Sequence, residues 1–171
     1  MAKNYYETKV VGVGGDVQKF IDVVKMIVLF DDSMVLPELR EFSVLHSGNK
    51  LDGIIKVGDT VKIGDSEFKI VKVGSEVHSN IRTLGHVIIK FDGGAGDLME
   101  GSIHVEDKPI PSIQIGDTIS IKEAGADALI GKTAAIVGGN DELVQAMNKI
   151  LVNSGAVITN DSNADIVVNI K

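Results

Sequence analysis

The chain contains one nine-residue pattern twice, IKVGDTVKI at residues 55–63 and IQIGDTISI at residues 113–121. In each copy, alternating apolar residues stand on both sides of a Gly-Asp pair, which is typical of a strand, a tight turn and a second strand. Two copies are too few for a solenoid, which needs at least three repeats. The repeat therefore predicts two related corners of one closed or partly closed sheet, because closure removes exposed strand edges.

Short strand-like segments fill most of the first 123 residues. They are rich in Val and Ile and are separated by turn residues, at the spacing of an all-β barrel or sandwich. The predicted strands are residues 6–13, 25–30, 68–73, 87–91 and 103–105. Two short helices interrupt them, one that begins at Asp16 and one turn over residues 79–84 that Ser79 caps and Gly85 closes. We predict a mainly β fold, a β-barrel domain over residues 1–123.

The pattern changes after Lys122. Residues 124–132 are rich in small side chains and indicate a linker, whereas residues 133–171 predict a small β-α-β-β appendage with a helix from Asp141 to about Asn153. The pair Gly138-Gly139 resembles the start of a nucleotide-binding half-domain. The dinucleotide-binding fingerprint also needs a third glycine and an acidic residue at the ribose distance, and both are missing. The sequence therefore argues against a nucleotide site here. The role of the appendage stays open.

Composition excludes several classes of protein. The formal net charge is −7 and the 17 Lys and Arg residues are scattered, which argues against nucleic-acid partners. No apolar run approaches the roughly 20 residues of a membrane span, and the first residues lack the apolar core of a signal peptide. With no cysteine there is no disulfide framework to suggest export. We expect a cytoplasmic protein without direct membrane insertion.

His46 is the main candidate for chemistry. As a strand, the segment before it places Phe42, Val44 and His46 on one face, and the small residues Ser47 and Gly48 that follow leave space for another molecule. A Ser or Thr nucleophile needs a positioned base, whereas a neutral imidazole can attack a phosphoryl group with one nitrogen while the other is hydrogen-bonded. A purely structural histidine at a strand end is the alternative. The chemical role requires an uncharged ring that a partner can reach.

Several separate blocks further along the chain point to one family. The blocks are residues 70–75, 80–86, 89–93 and 101–105. In their order and spacing the chain, from about Tyr5 to Lys122, resembles the glucitol/sorbitol-specific enzyme IIA of the bacterial phosphoenolpyruvate-dependent sugar phosphotransferase system. The resemblance implies that His46 accepts phosphate from the phosphocarrier protein HPr, at Nε2. It also implies transfer to a cysteine of the membrane-associated IIB/IIC transporter components, with no metal or organic cofactor.

His86 is the second site candidate, because it lies in a segment that matches the family's Leu-Gly-His motif. It would donate a hydrogen bond to a phosphoryl oxygen on His46 or orient its ring, and the alternative is a histidine that packs in the barrel. We expect His104 to be structural, since it points away from its apolar neighbours, and His78 to be an exposed surface residue. The pair Asp31-Asp32 is interpreted as a solvated turn, and Glu38 and Glu41 as a solvated face or an acidic collar near His46.

Two other functions stay open at this point. One is a non-catalytic β-barrel interaction or assembly module with a structural His46. The other is a hydrolase that uses His46 and His86 around a metal, although no histidine pair has the spacing of a helical metal site. The sugar and the oligomeric state do not follow from the sequence.

Overall fold

The computed structural model describes residues 3–48, 50–124, 133–138, 140–153, 157–159 and 163–170. Contacts divide the chain into a unit of Lys3–Glu123 and a C-terminal unit that begins at Ala124. None of the described helices is both long and apolar enough to cross a membrane.

The first unit is a closed eight-stranded barrel, which confirms the predicted mainly β fold. Its strands are β1 (Asn4–Val13), β2 (Met26–Asp31), β3 (Ser43–Ser47), β4 (Thr60–Ile63), β5 (Ser66–Val73), β6 (Val87–Lys90), β7 (Ser102–Val105) and β8 (Thr118–Lys122). Helix α1 (Val17–Val24) precedes β2, a 3-10 helix (Pro37–Phe42) precedes β3, and helix α2 (Val77–Leu84) precedes β6. Around the barrel the strands follow the order β1-β3-β2-β6-β7-β5-β4-β8.

The barrel consists of two matching halves, each a strand, a helix and three further strands. Four antiparallel strand pairs join the halves, namely β2–β6, β5–β4, β4–β8 and β8–β1. Two of them pair equivalent strands, with Val28 of β2 opposite Ile88 of β6 and Lys62 of β4 opposite Ser120 of β8. An irregularity interrupts β1 after Val10 and β5 at the matching position after Ile70. The repeat seen in the sequence is therefore the last part of a duplication that covers the whole barrel.

Apolar side chains from both halves fill the barrel interior. Alternate residues of each strand point inward, as a closed barrel requires. Val44, Val61 and Ile103 are fully buried in this cluster, and the rings of Phe68 and Phe91 meet edge to face at 4.8 Å. Buried polar side chains, among them His46 and Thr8, interrupt this apolar core.

Several local predictions are wrong. In the repeats, residues 55–57 and 113–115 are not strands, and only the second arm of each copy enters the sheet. Phe42 belongs to the 3-10 helix rather than to β3.

Helix α2 also begins earlier than expected. Its N-cap is Glu76, so Ser79 lies inside the helix and does not cap it. The early start places Val77 one helical turn before Ile81, and both are fully buried against the barrel. His78 is half-buried and accepts a hydrogen bond from the N–H of Ile55 at Nε2 (2.8 Å), so it is not a free surface residue.

The C-terminal unit has the predicted β-α-β-β order. It comprises β9 (Thr133–Gly138), α3 (Asp141–Asn153), β10 (Val157–Ile158) and β11 (Ile166–Ile170), and β9 lies between the other two strands in a parallel sheet. Asn140 caps α3 through a 2.9 Å bond from the N–H of Leu143. Leu151 and Met147 of α3 pack with Ala134 of β9. The predicted linker after Ala124, and Gly139 of the Gly-Gly pair, lie outside the described residues.

Candidate functional site

The side chain of His46 points into the barrel near one end of β3. Val44, two residues earlier on the same face, belongs to the apolar core, and His46 has 0% of its surface exposed. Thr8 points inward from the neighbouring strand β1, between Tyr6 and Val10, and is also buried. Asp31 of β2 is the residue opposite His46 on the other side of β3. Three strands therefore bring an imidazole, a hydroxyl and a carboxylate together.

Both ring nitrogens of His46 are hydrogen-bonded. Nδ1 lies 2.8 Å from Oγ1 of Thr8, and Nε2 lies 2.5 Å from the carbonyl oxygen of Gly85, the residue that ends α2. A carbonyl oxygen only accepts, so Nε2 carries the proton and Nδ1 accepts from the Thr8 hydroxyl. Burial lowers the pKa of His46, although the Gly85 carbonyl and the Asp31 carboxylate oppose this effect. The ring is thus neutral at pH 7, but neither nitrogen is accessible in this conformation.

An open cavity of about 380 Å³ adjoins the ring. Its walls include His46, the small residues Ser47 and Gly48, and the carboxylates of Asp31 and Asp32. The space expected next to Ser47 and Gly48 is therefore present. None of the described residues that line the cavity is Lys or Arg. The surroundings of the cavity are acidic, and no surface of His46 is exposed to it in this conformation.

Asp31 is fixed in this cavity wall. One carboxylate oxygen accepts bonds from the backbone N–H (2.9 Å) and the hydroxyl (2.5 Å) of Ser33, and the other accepts from the N–H of Gly48 (3.3 Å). Burial alone would raise the pKa of Asp31, but these hydrogen bonds outweigh it and hold the pKa below its ordinary value. Asp31 is therefore charged. Its bonds to Ser33 belong to an exposed turn, as predicted for Asp31-Asp32, and Asp31 also lines the cavity.

His86 lies on the other side of the barrel wall. Its ring stacks on Phe30 at 4.1 Å, and its Nδ1 donates to the carbonyl oxygen of Leu29 (2.9 Å). Burial lowers the pKa of His86. Among the described hydrogen bonds none joins the His86 ring to His46. The Leu-Gly-His segment contacts His46 through the backbone carbonyl of Gly85 instead.

The matching half of the barrel lacks these groups. The duplication places Phe68, Phe91 and Val105 where the first half has Thr8, Asp31 and His46, and all three are buried apolar residues. Among the described residues of the barrel, this set of groups therefore occurs once. Thr8 was not predicted, although a hydroxyl on the otherwise apolar inward face of β1 is a signal. The contact with Gly85 has no sequence signal, since it depends on how α2 docks.

His104 belongs to a different part of the barrel. It is fully buried, and its Nδ1 lies 2.9 Å from a carboxylate oxygen of Asp92. Ile103 and Val105, its neighbours on β7, both point into the core, so His104 points away from them as expected. Among the described residues no group of three or more His, Asp or Glu side chains is arranged to hold a metal ion.

Known proteins resemble the barrel unit. The sequence model of the family described as "PTS system glucitol/sorbitol-specific IIA component" matches residues 5–120. The glucitol/sorbitol-specific EIIA component of Escherichia coli K12 is 29% identical over 108 residues, which are 62% of this chain and 84% of that protein. The corresponding protein of Shigella flexneri is 27% identical over 106 residues, with the same coverage of each chain.

A solved structure shares the fold as well. The crystal structure of a PTS system IIA component from Enterococcus faecalis V583 superposes with a TM-score of 0.58 at 28% identity, and the match covers 67% of this chain and 97% of that one. The family match spans more than half of the chain and includes His46, Thr8, Asp31 and Gly85, and it ends before the C-terminal unit. The chain belongs to the family of glucitol/sorbitol-specific IIA components of the sugar phosphotransferase system, and it is a phosphotransferase that acts in sugar uptake.

Proposed function

We propose that the barrel is a cytoplasmic phosphohistidine relay, which accepts phosphate from phosphorylated HPr on Nε2 of His46 and passes it to the IIB component of a glucitol/sorbitol transporter. The observation that carries the proposal is the neutral imidazole of His46 at the wall of an open cavity, within the part of the chain that matches the family. The C-terminal unit lies outside that match, and the proposal assigns it no part in the transfer.

The reaction needs few groups from this chain. Once water has taken the proton from Nε2 and water has supplied one to Nδ1, the lone pair of Nε2 attacks phosphorus, the N–P bond of the donor breaks, and the electron pair returns to the donor imidazole. The low pKa of His46 keeps the ring neutral, so no separate base is needed at neutral pH. The protein contributes position and environment. Among the described residues that line the cavity there is no Lys or Arg to neutralise the phosphoryl group, which favours passing it on over retaining it.

Transfer requires the ring of His46 to move. In the conformation described, Nε2 is bonded to Gly85 and hidden, so the ring must leave that carbonyl and turn toward the cavity beside Ser47 and Gly48. Loss of one hydrogen bond costs about 1 kcal/mol, which partner binding readily offsets. The conformation is therefore a resting state, and docking of the partner opens it.

His86 acts in this proposal through the backbone. Its Nδ1 bond to Leu29, its stacking on Phe30 and the bond from its own N–H to the carbonyl of Asn80 (3.2 Å) fix the peptide that joins it to Gly85. That peptide carries the carbonyl that holds His46. His86 is thus a positioning residue that sets the orientation of the resting ring, rather than a direct phosphate ligand.

The rim of the cavity supports a protein partner. Val11, Met34 and Leu36 are exposed apolar residues on the segments that border it, and Glu38 adds an exposed carboxylate nearby. A partner with an apolar contact area surrounded by basic residues complements this surface in shape and charge. The proposal uses the same rim for the donor and for the acceptor, in turn.

Incubation with phosphoenolpyruvate, enzyme I and HPr tests the proposal. We expect acid-labile phosphate on the chain, its loss in His46→Gln, its retention in the matched control His78→Gln, and its removal when the IIB component is added. Absence of label from the folded wild type supports a silent interaction module instead. Activity that chelation abolishes supports a metal hydrolase, and label that persists in His46→Gln excludes His46 as the acceptor.

A further inference from the structure

We infer that Thr8 is a positioning residue for phosphoryl transfer, because its hydroxyl reverses its hydrogen bond with Nδ1 of His46 between the resting and the phosphorylated ring. The inference rests on the proposed function and extends it to a residue on another strand. Thr8 is buried, and its Oγ1 lies 2.8 Å from Nδ1. It touches neither the cavity nor the nitrogen that reacts.

The resting direction of the bond follows from the partner of Nε2. Gly85 offers only a carbonyl oxygen, so Nε2 of His46 carries the proton of the neutral ring. Nδ1 then has a free lone pair, and the Thr8 hydroxyl donates to it. The resting ring is therefore the Nε2–H tautomer, whose Nε2 has no lone pair available for attack.

The reactive ring needs the opposite arrangement. Attack through Nε2 requires the Nδ1–H tautomer. When the ring has left the Gly85 carbonyl, water accepts the proton of Nε2 and water donates a proton to Nδ1, so the ring stays neutral. When the N–P bond forms and the donor's N–P bond breaks, the proton stays on Nδ1. In the resting conformation Nδ1 is buried at hydrogen-bond distance from the Thr8 oxygen. The inference requires that the ring turn about this contact, so that the Thr8 oxygen accepts from the new N–H. A hydroxyl both donates and accepts, so Thr8 satisfies Nδ1 in both states.

A side chain of the same shape without the hydroxyl would satisfy neither state. In Thr8→Val the buried Nδ1–H of the reactive ring loses the hydroxyl acceptor that lies 2.8 Å away. We expect the loss of this hydrogen bond to lower the rate about tenfold to hundredfold. Thr8→Ser keeps the hydroxyl and loses only a methyl group. A role in transfer predicts that Thr8→Val is the slower variant. A role in packing alone predicts that Thr8→Ser is the more impaired variant, because only Ser removes the methyl group.

The experiment uses the full chain with ¹⁵N-labelled histidine and three forms, wild type, Thr8→Val and Thr8→Ser. Before phosphorylation, NMR of the wild type should show His46 as the Nε2–H tautomer, and the Nδ1 signal should shift in Thr8→Val but not in Thr8→Ser. With phosphorylated HPr, the initial rate should fall about tenfold to hundredfold in Thr8→Val and stay within about threefold of the wild type in Thr8→Ser.

Three results would overturn the inference. They are an Nδ1–H tautomer in the resting wild type, a wild-type rate in Thr8→Val, and an equal loss of rate in Thr8→Ser. The tautomer measurement needs no variant, so the inference can fail even if Thr8→Val does not fold. It also needs no phosphorylation. Absence of label on wild-type His46 contradicts the proposed function. The tautomer measurement separately tests whether the Thr8 hydroxyl donates to Nδ1 in the resting ring.

Discussion

Gly14 and Gly74 occupy equivalent positions in the two halves of the barrel, at the end of the strand that precedes α1 or α2. The N–H of Gly14 donates to the carbonyl of Ser43 (3.0 Å), and that of Gly74 donates to the carbonyl of Ser102 (2.8 Å). A Cβ at either position would overlap with backbone atoms of the segment that leads into β3 or β7. Each half is thus closed by the same approach of two backbones, which only glycine allows.

Gly14→Ala and Gly74→Ala should therefore destabilise the protein by similar amounts. Backbone cannot move aside as a flexible side chain does, so we expect each variant to lose about 2 kcal/mol or more of unfolding free energy. Urea unfolding of the full chain measures it. Gly101→Ala is the control, because its Cβ would meet only the side-chain nitrogen of Asn80. Equal stability of the control and either variant would show that the close approach is unimportant.

Lys25 ends α1 at the position where Gly85 ends α2. Both have a left-handed backbone, with φ of 52° at Lys25 and 57° at Gly85. This conformation disfavours a side chain, so Lys25→Gly should stabilise the protein by about 1 kcal/mol. The exposed ion pair of Lys25 with Asp107 (2.9 Å) is lost, but such a pair contributes only about 0.5 kcal/mol. Asp107→Asn isolates that loss, and a Lys25→Gly variant no more stable than the wild type would contradict the prediction.

The sequence predicts that the chain forms a β-barrel, but it does not predict that the barrel is built from two matching halves. One part of the duplication stayed recognisable at residues 55–63 and 113–121, because both copies need a tight turn and an inward-facing strand. The remaining parts of the two halves have diverged in sequence. His46 and Val105 occupy matching positions, but His46 belongs to a polar site whereas Val105 packs in the apolar core. Alternation places His46 on the inward face, yet its partner Gly85 is 39 residues away in sequence. Only docking of α2 against the strand end makes that contact, and no local pattern encodes it.

His86→Phe separates the backbone role of His86 from direct contact with phosphate. Phe keeps the stacking on Phe30 and loses the bond to the Leu29 carbonyl, so we expect a loss of about 1 kcal/mol in stability. The looser Gly85 peptide should weaken its bond to His46, which NMR of the His46 Nε2–H would report as a shifted signal. The phosphorylation rate should change by less than about tenfold. An unchanged His46 signal together with abolished transfer would favour a direct phosphate contact instead.

Stability should fall as the pH drops below about 6.5. Burial lowers the pKa of His46 and of His86 in the folded chain, whereas unfolded histidine has a pKa of about 6.5. Below that pH the unfolded state binds more protons, so each histidine removes up to about 1.4 kcal/mol of unfolding free energy per pH unit. Carboxylates with a lowered pKa, such as Asp31, lower the unfolding free energy further, but only below about pH 4.5.

Urea unfolding between pH 7.5 and 5.5 measures this slope. His46→Gln should flatten it, and the double variant with His86→Gln should flatten it further, because neither glutamine titrates. His78 also has a pKa lowered by burial and keeps part of the slope in the double variant. A slope that is the same in His46→Gln as in the wild type would mean that His46 is protonated equally in the folded and unfolded chains.

Asp31 should shorten the life of the phosphorylated state. Its carboxylate is charged, lines the same cavity as His46 and lies opposite it across β2 and β3, so a phosphoryl group there meets a fixed negative charge. A repulsion of about 1 kcal/mol in this open, high-dielectric setting changes a rate about fivefold. In Asp31→Asn the amide oxygen can still accept from Ser33, and we expect hydrolysis of phosphorylated His46 to slow about fivefold. Decay of acid-labile label after removal of HPr gives the rate.

Asp32→Asn is the matched control, because Asp32 is exposed and already paired with Arg40 (2.7 Å), so its neutralisation should leave the decay nearly unchanged. Faster decay in Asp31→Asn than in the wild type would instead identify Asp31 as a residue that protects the phosphorylated ring.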